Sequence, residues 1–320
     1  MANRWLAGRN HAVTSAIVSE FQERCSRETR QQLAMLTVAD RAMYFHAGLN
    51  YGFDGAIVDG GCFLGGTTTA LAEGLLRNPQ INEHIEITPG LIRAYDMFRV
   101  EGEGVIGLLP IARPGETFVE GESFRHVYEA SIARFAPLVQ IREGDVAEIG
   151  YQDEMDIAVL GVDFCKAPHI TDSVVRSFFP RLRPNALVIQ QDFTHEWQPH
   201  IQIAMMRLRD HFELYADFAG GGSVAFANTR PITAELIEQR FGPDGSWYAE
   251  IDTNVALLRQ LIDETLYDQN RPFHLEALAF YYANHGLGSE ALATLAERSA
   301  LHPGPVAVEA WVREAFPELS

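Results

Sequence analysis

The sequence predicts an α/β protein built on a doubly wound, mostly parallel sheet. N-terminal helices precede the sheet and a helical extension follows it. Three observations carry this. Short apolar, β-branched runs alternate with helical stretches from about residue 56 to 210, the pattern of βαβ units. Acids stand at the ends of those runs or just beyond: Asp59, Asp96, Asp145, Asp163 and Asp192. A glycine cluster at 60–66 separates the first run from its helix, giving strand, turn, helix.

In chain order, 1–50 reads as N-terminal helices, 51–230 as the sheet domain and 231–320 as the extension. Residues 11–35 read as helical, with apolar positions at Val13, Ile17, Phe21, Leu33 and Leu36. A second helix opens at Thr37, where Asp40 three residues on makes a capping-box-like start. Strands follow at 56–59, 91–95, 138–142, 156–162 and 186–189, with helices from 67 and over 123–135, 170–179 and 197–210. The stretch 98–122 is irregular: Gly102, Gly104, Gly107, Pro110, Pro114, Gly115 and Gly121 predict a loop with no long helix. A loop of that length in a compact domain is usually functional. Runs at 212–218 and 223–227, joined through Gly220–Gly222, predict a terminal hairpin at the sheet edge. In the extension, Leu275, Leu278, Ala279, Tyr282, Ala291, Leu295 and Pro303 match the spacing of one tetratricopeptide-type helix pair. No second copy exists, so the pair reads as a cap, a dimerisation element or a peptide-docking unit. Phe273, Phe280, Tyr281 and Trp311 need cover, which predicts packing on the fold or on a second copy, and so a homo-oligomer.

Composition narrows the function. The chain has 320 residues, 47% hydrophobic and 21% charged, with 19 Phe, 10 Tyr and 4 Trp, enough to fill a core. Twenty-five basic against 43 acidic residues leave a net charge of −18. That sign excludes a nucleic-acid backbone or an anionic membrane as partner. No apolar run reaches the length of a transmembrane helix, and the N-terminus lacks the apolar stretch of a secretory signal. Cys25, Cys62 and Cys165 are odd in number without CxxC spacing, which fits a reducing cytoplasm.

In open α/β sheets ligands bind beyond the carboxyl ends of the strands, so the strand-end acids are the residues to read. The loop 59–66, Asp-Gly-Gly-Cys-Phe-Leu-Gly-Gly, brings backbone close to a ligand. It lacks the Gly-Lys-Ser/Thr of a phosphate-binding loop and is not a clean G-x-G-x-x-G. Asp96, ending the second strand, is placed to accept hydrogen bonds from a ribose diol.

Asp59-x-Gly61-x-x-x-Gly65 resembles motif I of the class I S-adenosylmethionine-dependent methyltransferases. The stretches 58–61 (Val-Asp-Gly-Gly), 95–98 (Tyr-Asp-Met-Phe), 162–164 (Val-Asp-Phe), 179–184 (Phe-Pro-Arg-Leu-Arg-Pro) and 191–193 (Gln-Asp-Phe) resemble the macrocin and mycinamicin O-methyltransferase group over about residues 40–228. The resemblance implies a seven-stranded Rossmann-like methyltransferase sheet with one antiparallel strand in the terminal hairpin. It implies S-adenosylmethionine at Asp59, Gly61, Gly65, Asp96 and Asp145, and transfer of a methyl group to a hydroxyl of a sugar or other secondary metabolite. It further implies a divalent metal, Mg²⁺, on Asp163 and Asp192, with Asp163 beside the reacting groups and His195 as the general base. The chemistry is coherent: carboxylates suit Mg²⁺, a ligated hydroxyl loses its proton more readily, and imidazole can take it. Two positions depart from the group, which has acids where this chain has Cys165 and Gln191. His169 and His200 read as structural histidines. Lys166 reads as a surface residue or as a charge offsetting the acids in a metal-free site. Two other readings share the sheet: a cephalosporin-hydroxylase-like enzyme, for which no 2-His-1-carboxylate spacing is evident, and a cofactor-binding scaffold recruiting partners through its helical tail.

Overall fold

The computed structural model describes residues 11–52, 54–81, 89–218, 222–243, 245–265, 268–304 and 306–319. The chain divides into two compact units. One comprises His11–Phe164 with Arg181–Ile189, the other Cys165–Pro180 with Gln190–Ser320.

Seven strands, β1 (Ala56–Gly60), β2 (Ile92–Asp96), β3 (Val139–Glu143), β4 (Ile157–Val162), β5 (Leu182–Gln190), β6 (Phe212–Asp217) and β7 (Val224–Asn228), form one sheet in the order β3-β2-β1-β4-β5-β7-β6. β1 pairs in parallel with β2 and β4, and β2 with β3. β6 and β7 are antiparallel. The order reverses direction between β1 and β4, the topological switch where this class of sheet opens a ligand crevice. β1 is buried along its whole length, which is why it reads as a continuous apolar run and not an alternating one. The predicted hairpin turn at 219–221 lies outside the described residues, as do residues 82–88.

The N-terminal helices differ from the single stretch the periodicity predicts. α1 (His11–Arg24) stops, Ser26 caps the short α2 (Arg27–Gln31), and residues 32–36 are not helical. A buried acid from a later element makes the break. Glu73, on α4 (Gly66–Leu76), accepts from the Ser26 amide and hydroxyl at 2.7 Å each and from the Thr29 hydroxyl at 2.5 Å. Arg77 and Arg134 close on it at 2.8 and 2.6 Å. The predicted capping box is present: Thr37 and Asp40 satisfy each other's backbone amides at the start of α3 (Val38–Leu49). α3 crosses α4 closely because Gly48 and Gly74 carry no Cβ. A methyl at Gly48 would lie 2.8 Å from the Leu75 amide. Gly48 therefore lies in the last turn of the helix, where it packs against α4.

The segment 98–122 corrects the reading of an irregular loop. It contains α5 (Gly102–Ala112), a helix with three glycines and Pro110. Val105, Ile106 and Leu109 pack against a cluster that includes Phe98, Val100, Phe124 and Tyr128. Tertiary burial of that face outweighs a cost of roughly 1 kcal/mol per interior glycine. After it come α6 (Arg125–Ser131) and α7 (Val146–Ile149).

In the other unit, α8 (Pro168–Ser177) and α9 (Pro199–Arg207) are followed by an all-helical extension: α10 (Ala234–Phe241), α11 (Ile251–Glu264), α12 (Arg271–Asn284), α13 (Gly288–Leu301) and α14 (Ala307–Ala315). The predicted helix pair is α12–α13. Ala279, Ala283, Ala291 and Leu295 form its buried seam, and Val308 and Val312 of α14 close it. Small residues at that seam let the helices approach, as in repeat pairs. No helix among the described residues is long and apolar enough to cross a membrane.

Candidate cofactor site

The site residues at the ends of β1, β2 and β3 converge through backbone bonds. Asp59 is fully buried, and its Oδ2 accepts from the Thr67 hydroxyl at 3.0 Å and from the Thr68 hydroxyl. Its Oδ1 is buried with no hydrogen-bond partner. Burial is the main cause that pushes Asp59 up to about 6; the Thr68 and Thr67 hydroxyls oppose it and nearby Asp96 adds to it. Asp96 accepts from the Phe63 amide of the glycine loop at 2.8 Å and from the Phe98 amide at 2.7 Å. Burial raises its pKa, against those two amides. The Gly144 amide donates to the Asp96 carbonyl at 3.0 Å, tying the turn after β3 to the end of β2. Asp145 stands beside it and caps α7 through the Ala147 amide at 2.8 Å.

The glycines of the loop are demanded by close approach. Gly61 has φ +78° and an added Cβ would meet the Asp163 carbonyl carbon at 2.7 Å. Gly65 has φ +80°, caps α4 in the left-handed region, and would meet Ile132 Cγ2 at 2.7 Å. At both positions protein atoms already occupy the space a side chain would need, so the close packing of the loop and its left-handed backbone both require glycine. The loop lines a small cleft together with Ala34, Met35 and Leu36 of the non-helical segment after α2 and with Asp163. Asp163 thus shares a cleft with Gly61. Gln32 donates to the Leu64 carbonyl at 2.9 Å and holds that segment against the loop.

Several residues of this site escape a reading by motif. Thr67 and Thr68 bond Asp59, and their signal was a run of three threonines opening the helix eight residues past an acid. Phe63 contributes through its amide, which no side-chain pattern reports. Gln32 and residues 34–36 arrive from a distant segment, with no local signal.

Asp192 and His195 belong to the other unit. Asp192 has φ +58°, a left-handed position that Asp tolerates better than most residues. Its Oδ2 lies 2.6 Å from Lys166 Nζ and accepts from Gln198 Nε2 at 3.4 Å. His195 is half-exposed, with Nδ1 3.5 Å from the Glu196 carboxylate and 3.3 Å from the Trp197 amide. His200 is buried and bonds the Cys165 carbonyl through Nε2 at 3.0 Å; burial pushes it down to about 4, so it stays neutral. His169 is exposed on the first turn of α8. The three cysteines are buried and free.

The Mg²⁺ that the resemblance implies does not fit these residues. The Asp192 carboxylate is engaged by an ammonium, and positions 165 and 191 are a buried thiol and a buried neutral amide. Among the described residues no three His, Cys, Asp or Glu side chains are grouped so as to hold an ion.

No family model matches the chain. No curated protein matches it either. Among solved structures it is similar to CalS11, a TDP-rhamnose 3'-O-methyltransferase of calicheamicin biosynthesis, at 17% identity and TM-score 0.42, over 71% of this chain and 99% of that one. It is similar to the O-methyltransferase NovP at 16% identity and TM-score 0.42, over 68% and 97%. A Methanosarcina mazei S-adenosylmethionine-dependent methyltransferase matches at 16% and TM-score 0.22, over 59% and 77%. Likeness this distant assigns no activity.

Proposed function

We propose that this chain is an S-adenosylmethionine-dependent O-methyltransferase acting on a hydroxyl of a sugar or other secondary metabolite. The observation that supports it best is the strand order β3-β2-β1-β4-β5-β7-β6, with an antiparallel final pair and a glycine loop, Asp59, Asp96 and Asp145 at the carboxyl ends of the first three strands. The residues fit the cofactor. Asp59 Oδ1 is an orphaned buried acceptor, and Asp96 stands beside the glycine loop through the Phe63 amide. When bound, S-adenosylmethionine supplies an electrophilic methyl on a positively charged sulfur.

The chain's own residues do the rest. Asp96, whose oxygens each keep a free lone pair beyond the two loop amides, accepts from the ribose diol. Asp59 offers negative charge to the positively charged end of the cofactor. Asp145 marks the adenine side, as the resemblance implies. The departing hydroxyl proton goes to His195, the base position of the resemblance. For Nε2 to take that proton, Nδ1 gives up the bond it accepts from the Trp197 amide and carries its hydrogen toward Glu196. Glu196 then stabilises the imidazolium, as an orienting carboxylate does in other acid–base pairs.

Calorimetric titration with S-adenosylhomocysteine tests the cofactor half, with binding expected in wild type and weakened in Asp96→Ala. Labelled methyl transfer to a panel of glycosides and phenols tests the acceptor class. Absence of any S-adenosylhomocysteine binding would overturn the proposal.

A further inference from the structure

We infer that Lys166 is a built-in cation standing where the resemblance places a divalent metal, so that the Asp192 pocket excludes the ion and is neutralised from within the chain. The inference rests on the methyltransferase reading for its functional meaning but on geometry for its substance. Lys166 Nζ is 2.6 Å from Asp192 Oδ2, the distance of a charge-assisted hydrogen bond. Gln198 adds a second donor to the same oxygen at 3.4 Å.

An exposed lysine pair is ordinarily weak and mobile, and Lys166 is 49% exposed. Here both backbones are clamped. The carbonyl of Cys165, the residue before Lys166, is held by buried His200 of α9 at 3.0 Å. The Asp192 carbonyl takes the His195 amide at 3.0 Å, and the Thr194 amide donates to Gly222 at 3.3 Å. The lysine and the acid are thus presented to one another by fixed turns, and the entropy of holding the pair falls on one side chain.

The neighbouring side chains are matched to a monovalent charge. Mg²⁺ draws on carboxylates and keeps several waters. Gln191 and Cys165 bring no formal negative charge, and both are buried. One ammonium balances one Asp192 carboxylate, whereas a divalent ion beside Lys166 would face uncompensated repulsion.

The test uses Mn²⁺ as probe, read by the free-ion paramagnetic resonance signal, on the full chain with S-adenosylhomocysteine present. Wild type should leave the signal unchanged. Lys166→Met, which keeps the stem and removes the charge, should take up Mn²⁺ at least roughly tenfold more tightly. Asp192→Asn in that background should release it. Equal uptake by wild type and Lys166→Met would overturn the inference, as would no uptake by either. S-adenosylhomocysteine affinity, measured by calorimetry on the same samples, reports separately. Its absence would sink the methyltransferase reading while the Mn²⁺ comparison still decides the role of Lys166.

Discussion

Asp96→Ala is the sharpest perturbation of the candidate site, because the carboxylate holds the loop and is placed to hold the ligand. In the free protein it accepts from the Phe63 and Phe98 amides at 2.8 and 2.7 Å. Truncation strands both donors. A buried unsatisfied group costs about 1–3 kcal/mol, and the lower half applies here, since Asp96 is only partly buried and water can enter the space it leaves. Two amides therefore cost roughly 2–4 kcal/mol of stability. The ligand loses its diol acceptor as well, a further 1–3 kcal/mol, or about 5–150-fold in affinity. Urea unfolding reads the first quantity and calorimetry with S-adenosylhomocysteine the second. Asp145→Ala is the control. Its side chain caps a four-residue helix, so it should cost about 1 kcal/mol of stability and less affinity than Asp96→Ala. Unchanged S-adenosylhomocysteine affinity in Asp96→Ala would refute the placement of the ribose at β2, whatever happened to stability.

Four further outcomes follow from the same geometry. Gly61→Ala forces a residue at φ +78° with its Cβ 2.7 Å from the Asp163 carbonyl carbon; it should lose more than the ~1–2 kcal/mol of left-handed strain alone, read by thermal unfolding. Asp59 keeps its proton up to about pH 6 in the fold but ionises from 3.8 when unfolded. Its contribution is therefore full below about pH 4 and lost as pH rises through 6, so wild type should gain about 2–3 kcal/mol on Asp59→Asn between pH 7 and 4, and a flat difference would contradict the burial argument. Glu73 sits near 2, because the Thr29, Ser26 and Arg77 hydrogen bonds overcome burial. Its stabilisation is full above the ordinary carboxylate range and fades as pH falls towards 2. Glu73→Ala should cost about 2–3 kcal/mol, less than a fully buried pair because Arg77 and Arg134 stay partly exposed, and chemical denaturation at neutral pH checks it. Once an acceptor is found, His195→Ala should slow single-turnover transfer by roughly 10²–10⁴, and a near-full rate would remove it as the base.

The elements whose stability is local were legible from the sequence. β1, β2 and β4 announced themselves as buried apolar runs, and the strand-end acids followed, because a parallel strand must be apolar on both faces and ends where the chain meets a ligand-facing turn. The Thr37–Asp40 cap and the α12–α13 seam were legible for the same reason: their partners lie within three or four residues, or within one helix pair. Features whose partners lie far along the chain were not. The break at Ser26 is made by Glu73, 47 residues on. α5 forms against three glycines and a proline because its apolar face meets Phe98 and Phe124. The acids were named in advance, and Lys166 was one reading of a charge offsetting them, but not which acid it meets; Thr68 on Asp59 and the Phe63 amide on Asp96 were not legible as partners. Local sequence determined which residues stand at the strand ends, since propensity and periodicity act over a few residues. Only the tertiary structure decided which charges those residues meet, since electrostatic and hydrogen-bond partners are chosen by proximity in space, and that choice set an ammonium against Asp192 where the motif alone pointed to a metal.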